Sequence, residues 1–478
     1  MNKPIVRLYG LVVLLFALLV AFTSRWTIFE AASLRENALN RRGLLEQERI
    51  DRGPIVAADG TVLAVSRRGA EGIYERRYPT GSLFANVIGY DFVDRSITGL
   101  ESFRNAALNG QTDTGLQGIL DQLQGRRPSG QKVVTTLDPA AQRVAQEALG
   151  EHHGAVVALE PRSGDVTVMA SSPSYDPNRI GSSSYFKGLE APSAGQPLVN
   201  RATQYGYAPG STFKVVTATA ALDTGAFTAS SALSGRNEIP VSGVPLKNDD
   251  NESFGQITLT QALAHSVNTV WAQVAEKLGK ATLGRYMARF GFDSLPQLDL
   301  PSDEMTPSGE KVGETVIAPT SEKVDVGRLG IGQDKLVVAP LQMAEVASAV
   351  ADDGVLMVPH LTSRIVNAEG QVVQRVTPRV QSVVMKPSTA AAVTGMMEAV
   401  VNEGTGEGAR IPGVQVAGKT GTAETELGQT INNVWFIAFA PARDPRVAIA
   451  VTLQGVPGQG ASFAAPVARQ VIERLLHD

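Results

Sequence analysis

Cysteine is absent from all 478 residues. That removes disulfides, thiolate metal sites and cysteine nucleophiles from consideration, and it suits an extracytoplasmic chain. Histidine is scarce: His152, His153, His265, His360 and His477 show no zinc-like spacing, and no His-Glu-x-x-His occurs. No serine stands in a Gly-x-Ser-x-Gly elbow, which excludes that hydrolase design. Excess positive charge is lacking too. A net charge of −4 and a pI near 5.9 leave no basic stripe for nucleic acid. Repeats and low-complexity tracts are missing, and nothing calls for a metal or a cofactor. Only one long hydrophobic run exists.

That run, Leu8 to Thr23, carries no charged residue and is otherwise apolar apart from Tyr9, Gly10 and its last residue, Thr23. At roughly 16 residues it falls a little short of the ~20 of a full span. Lys3 and Arg7 precede it, so the amino terminus is expected to stay cytoplasmic while the remainder is exported. Phe22-Thr-Ser-Arg-Trp26 makes a poor cleavage site, and Ala31-Ala-Ser33 lies too far along. The expectation is an uncleaved signal anchor over residues 1–28, giving a single-pass protein of the cell membrane with an extracytoplasmic catalytic domain.

The length suits two to three domains. Residues 30 to 50, rich in Arg, Glu, Leu and Asn, read as a juxtamembrane helix or linker. From Arg52 to about Gly130 short strands alternate with glycines, with Asp59-Gly60 a hairpin turn, and a Gly- and Gln-rich stretch runs from Leu116. Residues 29–150 are thus expected to form a small, mainly β, non-catalytic domain with its linker. In residues 151–478, Ala155 to Leu159 and Val166 to Met169 are apolar strands across Arg162-Ser-Gly-Asp165. Val434 to Ala440 and Val447 to Leu453 form a second pair across Pro441–Pro445. A closing helix carries Val467, Val471, Ile472 and Leu475 on one face. A mostly helical stretch from Ser211 to about Val400 lies between. This is an α+β layout whose sheet is assembled from both ends of the region.

Three strings carry the chemistry. Ser211-Thr-Phe-Lys214 sets a serine and a lysine on one helical face, a nucleophile with a candidate base. A serine after Pro209-Gly210 is also an ordinary helix cap. Ser184-Tyr-Phe-Lys187 repeats the spacing, but in a Gly- and Ser-rich stretch with no helical pattern behind it. Ser211 instead precedes the stripe Phe213, Val216, Ala220 and Leu222, so it opens a helix, where free N–H groups favour an oxyanion. Ser266-Val-Asn268 adds a hydroxyl relay and an amide, in a loop expected between two helices. Lys419-Thr-Gly-Thr422 follows Val414 and Val416 as the end of an edge strand. It adds a cation, two hydroxyls for a carboxylate, and a glycine, Gly421, that lets a substrate strand approach. The set reads as an acyl-transfer site for a substrate carrying a carboxylate. His265 reads as structural, and Trp435-Phe436 as sheet core.

Tyr207-Ala-Pro-Gly-Ser-Thr-Phe-Lys214, Ser266-Val-Asn268 and Lys419-Thr-Gly-Thr422, in that order, resemble the penicillin-binding proteins and their serine β-lactamase relatives. Arg52-Gly-Pro-Ile55 with Asp59-Gly60, Tyr78-Pro79, Gly89-Tyr90 and Gly99-Leu-Glu101 are similar to the amino-terminal region of the class B members. So are Thr136-Leu-Asp138, Gly330-Ile-Gly-Gln333, Pro340-Leu-Gln342 and Trp435-Phe436. The short amino-terminal region is similar to the actinobacterial penicillin-binding protein A group. Ala57-Ala58 departs from the acidic-basic pair usual before the turn.

The resemblance implies a penicillin-recognising transpeptidase fold with a pedestal- or dimerisation-like amino-terminal domain. It implies a D,D-transpeptidase that cross-links peptidoglycan stem peptides ending in D-Ala-D-Ala and is acylated by β-lactams. The implied setting is cell-wall synthesis, cell shape and division, among membrane-bound wall-synthesis or divisome proteins. Ser211 would be the nucleophile, Lys214 its base, Ser266 a proton shuttle and Lys419 a fixed cation. Asn268 would hold a substrate amide, Thr420 and Thr422 the carboxylate, and the N–H groups of Ser211 and Thr422 the oxyanion. A D,D-carboxypeptidase differs only in its acceptor, and a penicillin-sensing scaffold would show erosion of one string. A β-lactamase would need a Glu-x-x-Leu-Asn string after Ser266-Val-Asn268, and none stands there.

Overall fold

The computed structural model describes residues 3–24, 49–69, 72–92, 94–111, 130–424 and 431–477. The linker expected over residues 30–50, the Gly- and Gln-rich stretch from Leu116 and Ala31-Ala-Ser33 lie wholly or mainly outside the described residues, as do Arg25 and Trp26 of the other weak cleavage site. Two compact units divide the chain: residues 1–51 with 67–75, and residues 52–66 with 76–478.

In the first unit, helix α1 (Lys3–Ser24) is 22 residues long, with its described apolar side chains exposed. Its Lys3–Val20 window is long and apolar enough to cross a membrane. The helix starts earlier than the apolar run because Lys3 and Arg7 do not interrupt helical geometry.

The second unit is built on five antiparallel strands. They are β1 (Gly154–Leu159), β2 (Val166–Ser172), β3 (Ala417–Glu424), β4 (Asn432–Ala440) and β5 (Val447–Val456), in the spatial order β3-β4-β5-β1-β2. Gly164 at φ 81 turns β1 into β2. The helices around them are α2 (Pro139–Leu149), α3 (Lys214–Asp223), α4 (Leu259–Ala264), α5 (Asn268–Arg289, broken at Gly279), α6 (Pro340–Ala351), α7 (Pro387–Glu403) and α8 (Ala464–Leu476).

Alternate strand residues face opposite sides, and here both sides are covered. Val157, Leu159, Trp435, Ile437 and Phe439 join one core with Val215, Val270, Met343 and Val393 of α3, α5, α6 and α7. Val156, Ala158, Phe436, Ala438 and Val451 join a second with Ala141 and Leu149 of α2 and Val471 and Ile472 of α8. This explains the unbroken apolar runs, since a strand buried on both faces has no polar side to alternate. Each large side chain so buried contributes about 1.5–3 kcal/mol.

Two features differ from the sequence expectation. The region from Ser211 to Val400 is not mostly helical: it also holds hairpins at Ile239–Val241 with Val244–Leu246 and Gly309–Val312 with Thr315–Ile317, and paired strands Ala232–Ser234 with Gln256–Thr258 and Val355–Met357 with Val380–Val383. Strands this short carry no readable period. Sheet pairing also reaches back across the chain. Ile55–Val56 pairs antiparallel with the strand beginning at Val62, through Asp59-Gly60, and in parallel with Lys132–Thr135, which pairs in turn with Thr362–Val366. Beside it, Glu101 is fully buried between Arg52 Nε at 2.8 Å and Arg76 Nε at 2.6 Å.

Candidate active site

Ser211 sits in the 3-10 turn Gly210–Phe213 that runs into α3. The turn is held from several sides. Thr212 Oγ1 donates to Pro209 O at 2.8 Å, Trp435 Nε1 donates to Ala208 O at 2.9 Å, and Gly210 N donates to Gly332 O at 3.0 Å. Gly210 adopts φ 52, and a β-carbon there would lie 2.6 Å from Thr422 O. Only glycine meets both demands.

Lys214 is fully buried, with Nζ 2.9 Å from Ser211 Oγ and 3.2 Å from Ser266 Oγ. The same amine donates to Ser266 O and to Asn268 Oδ1, each at 2.6 Å. A neutral amine has two N–H groups and one lone pair. The two carbonyl oxygens take both hydrogens, which leaves the lone pair for the Ser211 hydroxyl. Burial drags the Lys214 ammonium down to about 7, with Asp249 pulling the other way.

Ser266 lies, as expected, in the short link between α4 and α5, and its φ of 58 is unusual for a non-glycine residue. That backbone turn lets both its carbonyl and its hydroxyl meet Lys214. α4 enters the link from a capping box between Thr258 and Gln261. From the other side, Lys419 Nζ lies 3.0 Å from Ser266 Oγ, 3.0 Å from Thr420 O and 3.3 Å from Thr420 Oγ1. Ser266 Oγ thus bridges the two lysines. Lys419 is equally buried; burial first, then the neighbouring Lys214, pull its ammonium well below the ordinary value against Asp249. The sequence assigned a fixed charge to Lys419. No carboxylate touches either lysine among the described contacts, and the charge of Lys214 adds to burial in disfavouring the Lys419 ammonium.

Lys419 lies within the first half of β3, not at its end, and β3 is an edge strand paired only to β4, with Gly421 opposite Trp435. Gly421 has a different reason from the one expected. A β-carbon there would meet Pro209 O at 2.7 Å and Thr212 Cγ2 at 2.9 Å. The space it leaves open is filled by the turn that carries Ser211, so this glycine lets the strand close on that turn. Thr420 Oγ1 pairs with Thr405 Oγ1 at 2.6 Å, and Thr422 Oγ1 accepts from Gly460 N at 3.3 Å.

All eight expected positions, Ser211, Lys214, Ser266, Asn268, Lys419, Thr420, Gly421 and Thr422, converge here. Ser184 does not. It lies in an exposed helix, Ser183–Leu189, where no helix was expected, and its hydroxyl meets Ser182 Oγ at 3.1 Å. Ser182 accepts from Tyr185 N and so caps a helix whose Gly and Ser content hid it. His265 stacks on Phe254, His360 Nε2 lies 2.7 Å from Asp165 Oδ1, and Trp435 and Phe436 are buried. Among the described residues no group of His, Cys, Asp or Glu is arranged to hold a metal.

Sequence reasoning missed Asp249, Thr405, Gln459 and Gly460, which line the same cleft. Gly404-Thr-Gly406 and Gly458-Gln-Gly460, each a polar residue between glycines, were the available signals. Asn248-Asp-Asp-Asn251 offered only a polar cluster.

Residues 154–473 match the family model described as the penicillin binding protein transpeptidase domain, and residues 52–133 that of the penicillin binding protein A dimerisation domain. Peptidoglycan D,D-transpeptidase PbpA of Mycolicibacterium smegmatis is 34% identical over 501 aligned positions, covering 100% of both chains. The PbpA of Mycobacterium tuberculosis H37Rv is 35% identical over 502, covering 100% of this chain and 99% of the relative. Penicillin-binding protein A from M. tuberculosis, solved as a ceftriaxone acyl-enzyme, superposes with a TM-score of 0.82 at 33% identity, covering 90% of this chain and 100% of that one. Its imipenem acyl-enzyme gives 0.80 at 34%, covering 90% and 100%.

Proposed function

From the premise that this chain belongs to the penicillin-binding protein transpeptidase family, we propose how its own residues divide the work. The chain is a serine D,D-transpeptidase of peptidoglycan synthesis, covalently inhibited by β-lactams. One observation carries the assignment of roles: Ser211 Oγ, Lys214 Nζ, Ser266 Oγ and Lys419 Nζ form a continuous chain at 2.9, 3.2 and 3.0 Å.

Ser211 Oγ attacks the carbonyl of the penultimate D-Ala in a stem peptide while Lys214 takes its proton. The N–H groups of Ser211 and Thr422 hold the resulting oxyanion, and losing one such donor typically costs about 3 kcal/mol. As the C–N bond breaks, Ser266 returns a proton from the lysine pair to the departing D-Ala amine. A neighbouring stem's amine then attacks the ester, loses a proton to the same relay, and frees Ser211. Asn268 binds a substrate amide. The terminal carboxylate binds the hydroxyls of Thr420 and Thr422, and its charge favours the cationic form of Lys419 beside them. A β-lactam follows the first half of this path, and its acyl group stays on Ser211.

Residues 29–150 act as a non-catalytic pedestal and linker and residues 151–478 as the catalytic domain. Helix α1 anchors the chain in the cell membrane with its catalytic domain outside, among wall-synthesis or divisome proteins. The test is intact-mass labelling with a fluorescent penicillin, then incubation of the protein with a D-Ala-D-Ala stem and an amine acceptor. A long-lived adduct of one penicillin and an amide-linked dimer are expected. Hydrolysed stem alone would identify a carboxypeptidase, and no adduct would sink the enzyme reading.

A further inference from the structure

Asn268 has an amide that could point either way, and the direction matters because its oxygen meets Lys214. The neighbouring segment Lys247-Asn248-Asp249 settles that direction. Asn268 Nδ2 donates to Lys247 O and to Asp249 Oδ1, each at 3.1 Å. Between these two contacts, Asn248 Oδ1 accepts from Thr269 N at 2.9 Å. Three consecutive residues therefore clamp the first two residues of α5, and both amide hydrogens of Asn268 are spoken for. Its oxygen is left to face Lys214 Nζ at 2.6 Å.

The clamp is itself braced. Asn248 Nδ2 donates to Gly235 O and Glu252 O, tying the segment to the small strands beside it. Asp250 and Asn251, directly after Asp249, both take left-handed backbone, at φ 54 and 58. Two successive non-glycine residues in that region carry a conformational cost that the surroundings must hold in place. Their effect is to bend the chain so that Asp249 lines the cleft with Ser211, Ser266 and Thr422.

We propose that Asp249 is a positioning residue for acylation: it locks the Asn268 amide and places a negative charge beside the two buried lysines. The proposal rests on the catalytic roles given above. Lys214 faces Asp249 and Lys419, and Asp249 is the group that favours the charged form of both amines. Removing its charge therefore lets Lys214 lose its proton at lower pH. Removing its hydrogen bond frees the Asn268 amide to turn.

Two variants separate these effects. Asp249→Asn keeps an acceptor for Asn268 Nδ2 but removes the charge; Asp249→Ala removes both. Acylation by penicillin is followed from about pH 5 to 9, with thermal melting of each purified full-length protein. For Asp249→Asn the acidic limb should move down by on the order of half a pH unit, with a plateau rate above that of Asp249→Ala. For Asp249→Ala the limb should move likewise, and the plateau should fall by about tenfold or more. A limb that stays put in both variants, whatever happens to melting, overturns the proposal. An unmoved limb alongside lost labelling in Ser211→Ala refutes only the role of Asp249; labelling that persists in Ser211→Ala refutes the assignment of roles beneath it.

Discussion

The indole N–H of Trp435 donates to the carbonyl of Ala208 at 2.9 Å, so a residue on the strand next to the sheet edge holds the turn that carries Ser211. Trp435 also faces Gly421 across the β3–β4 pair. One side chain thereby fixes the distance between the nucleophile and the edge strand. Trp435→Phe keeps most of the ring and removes the N–H. Acylation by penicillin should slow by about tenfold, because small displacements at a reacting centre are costly. Stopped-flow acylation measures this, and an unchanged rate would show that packing alone sets the turn.

Ser211→Ala should abolish covalent labelling by a fluorescent penicillin, while Ser184→Ala leaves it intact. Ser184 shares the spacing to a lysine but lies on an exposed helix away from the cleft lining. Gel fluorescence of the two purified variants decides between them.

The two lysines should separate by pH. In the proposed roles Lys214 works as a neutral amine, and burial brings its ammonium down to about 7, so acylation should rise with pH through about 7 and level off above it. Lys214→Arg stays protonated and cannot supply that base. Its rate should fall by about 100-fold or more at every pH between 6 and 10. Lys419→Arg should keep part of the rate with a shifted acidic limb. Lys214→Arg acylating like the parent would move the base to Lys419 acting through Ser266.

Glu345, on α6, is buried; its Oε2 accepts from Gln342 Nε2 at 3.2 Å, and its Oε1 has no hydrogen-bond partner among the described residues. Burial pushes this acid from 4.5 up to about 8. Across that window the folded chain keeps a proton that the unfolded chain has released. Stability therefore falls as pH rises from about 4.5 to about 8, and the full cost remains above it. Glu345→Gln should flatten this loss. Melting at pH 6 and pH 8.5 should show a smaller difference in the variant than in the parent; an equal difference would refute the buried acid as its source.

Glu101 is held charged by two guanidiniums. Burial opposes its ionisation, yet Arg76 and Arg52 together keep it below the usual carboxylate range. Glu101→Ala would leave two cations with poor solvation and should cost about 3–5 kcal/mol. Denaturant unfolding reads the loss. A cost under 1 kcal/mol would mean that water or a neighbouring group readily replaces the carboxylate.

Much of the site could be read directly from the chain, because its strings fix local geometry. Lys214 follows Ser211 by one helical turn, and Ser-Val-Asn breaks two helices where a polar link is needed. The sheet was legible too, as two apolar pairs around obvious turns. What stayed hidden depends on partners distant in sequence. Asp249 and Thr405 enter the cleft because β-hairpins and a helix end bring them there; only the flanking glycines mark Thr405, and nothing but a polar cluster marks Asp249. Gly421 was noticed for the wrong neighbour, since only the packed structure shows Pro209 and Thr212 in the space beside it. The three-residue strands between Ala232 and Thr258 were too short for any periodicity to register.

The strand order β3-β4-β5-β1-β2 sets a timetable for biosynthesis. The chain is made from its amino end, so β1, β2 and the turn bearing Ser211 emerge long before β3. When β3 and β4 follow, they still lack their connection to the early strands, because β5 alone lies between β4 and β1. The sheet that joins Thr422 to the early strands is thus continuous only after Val456 has been synthesised. A nascent chain carries its nucleophile and base for most of its growth without a finished cleft around them. Penicillin capture by a growing or truncated chain would report completion of that final strand, and chains ending before Val447 should be blind to the drug.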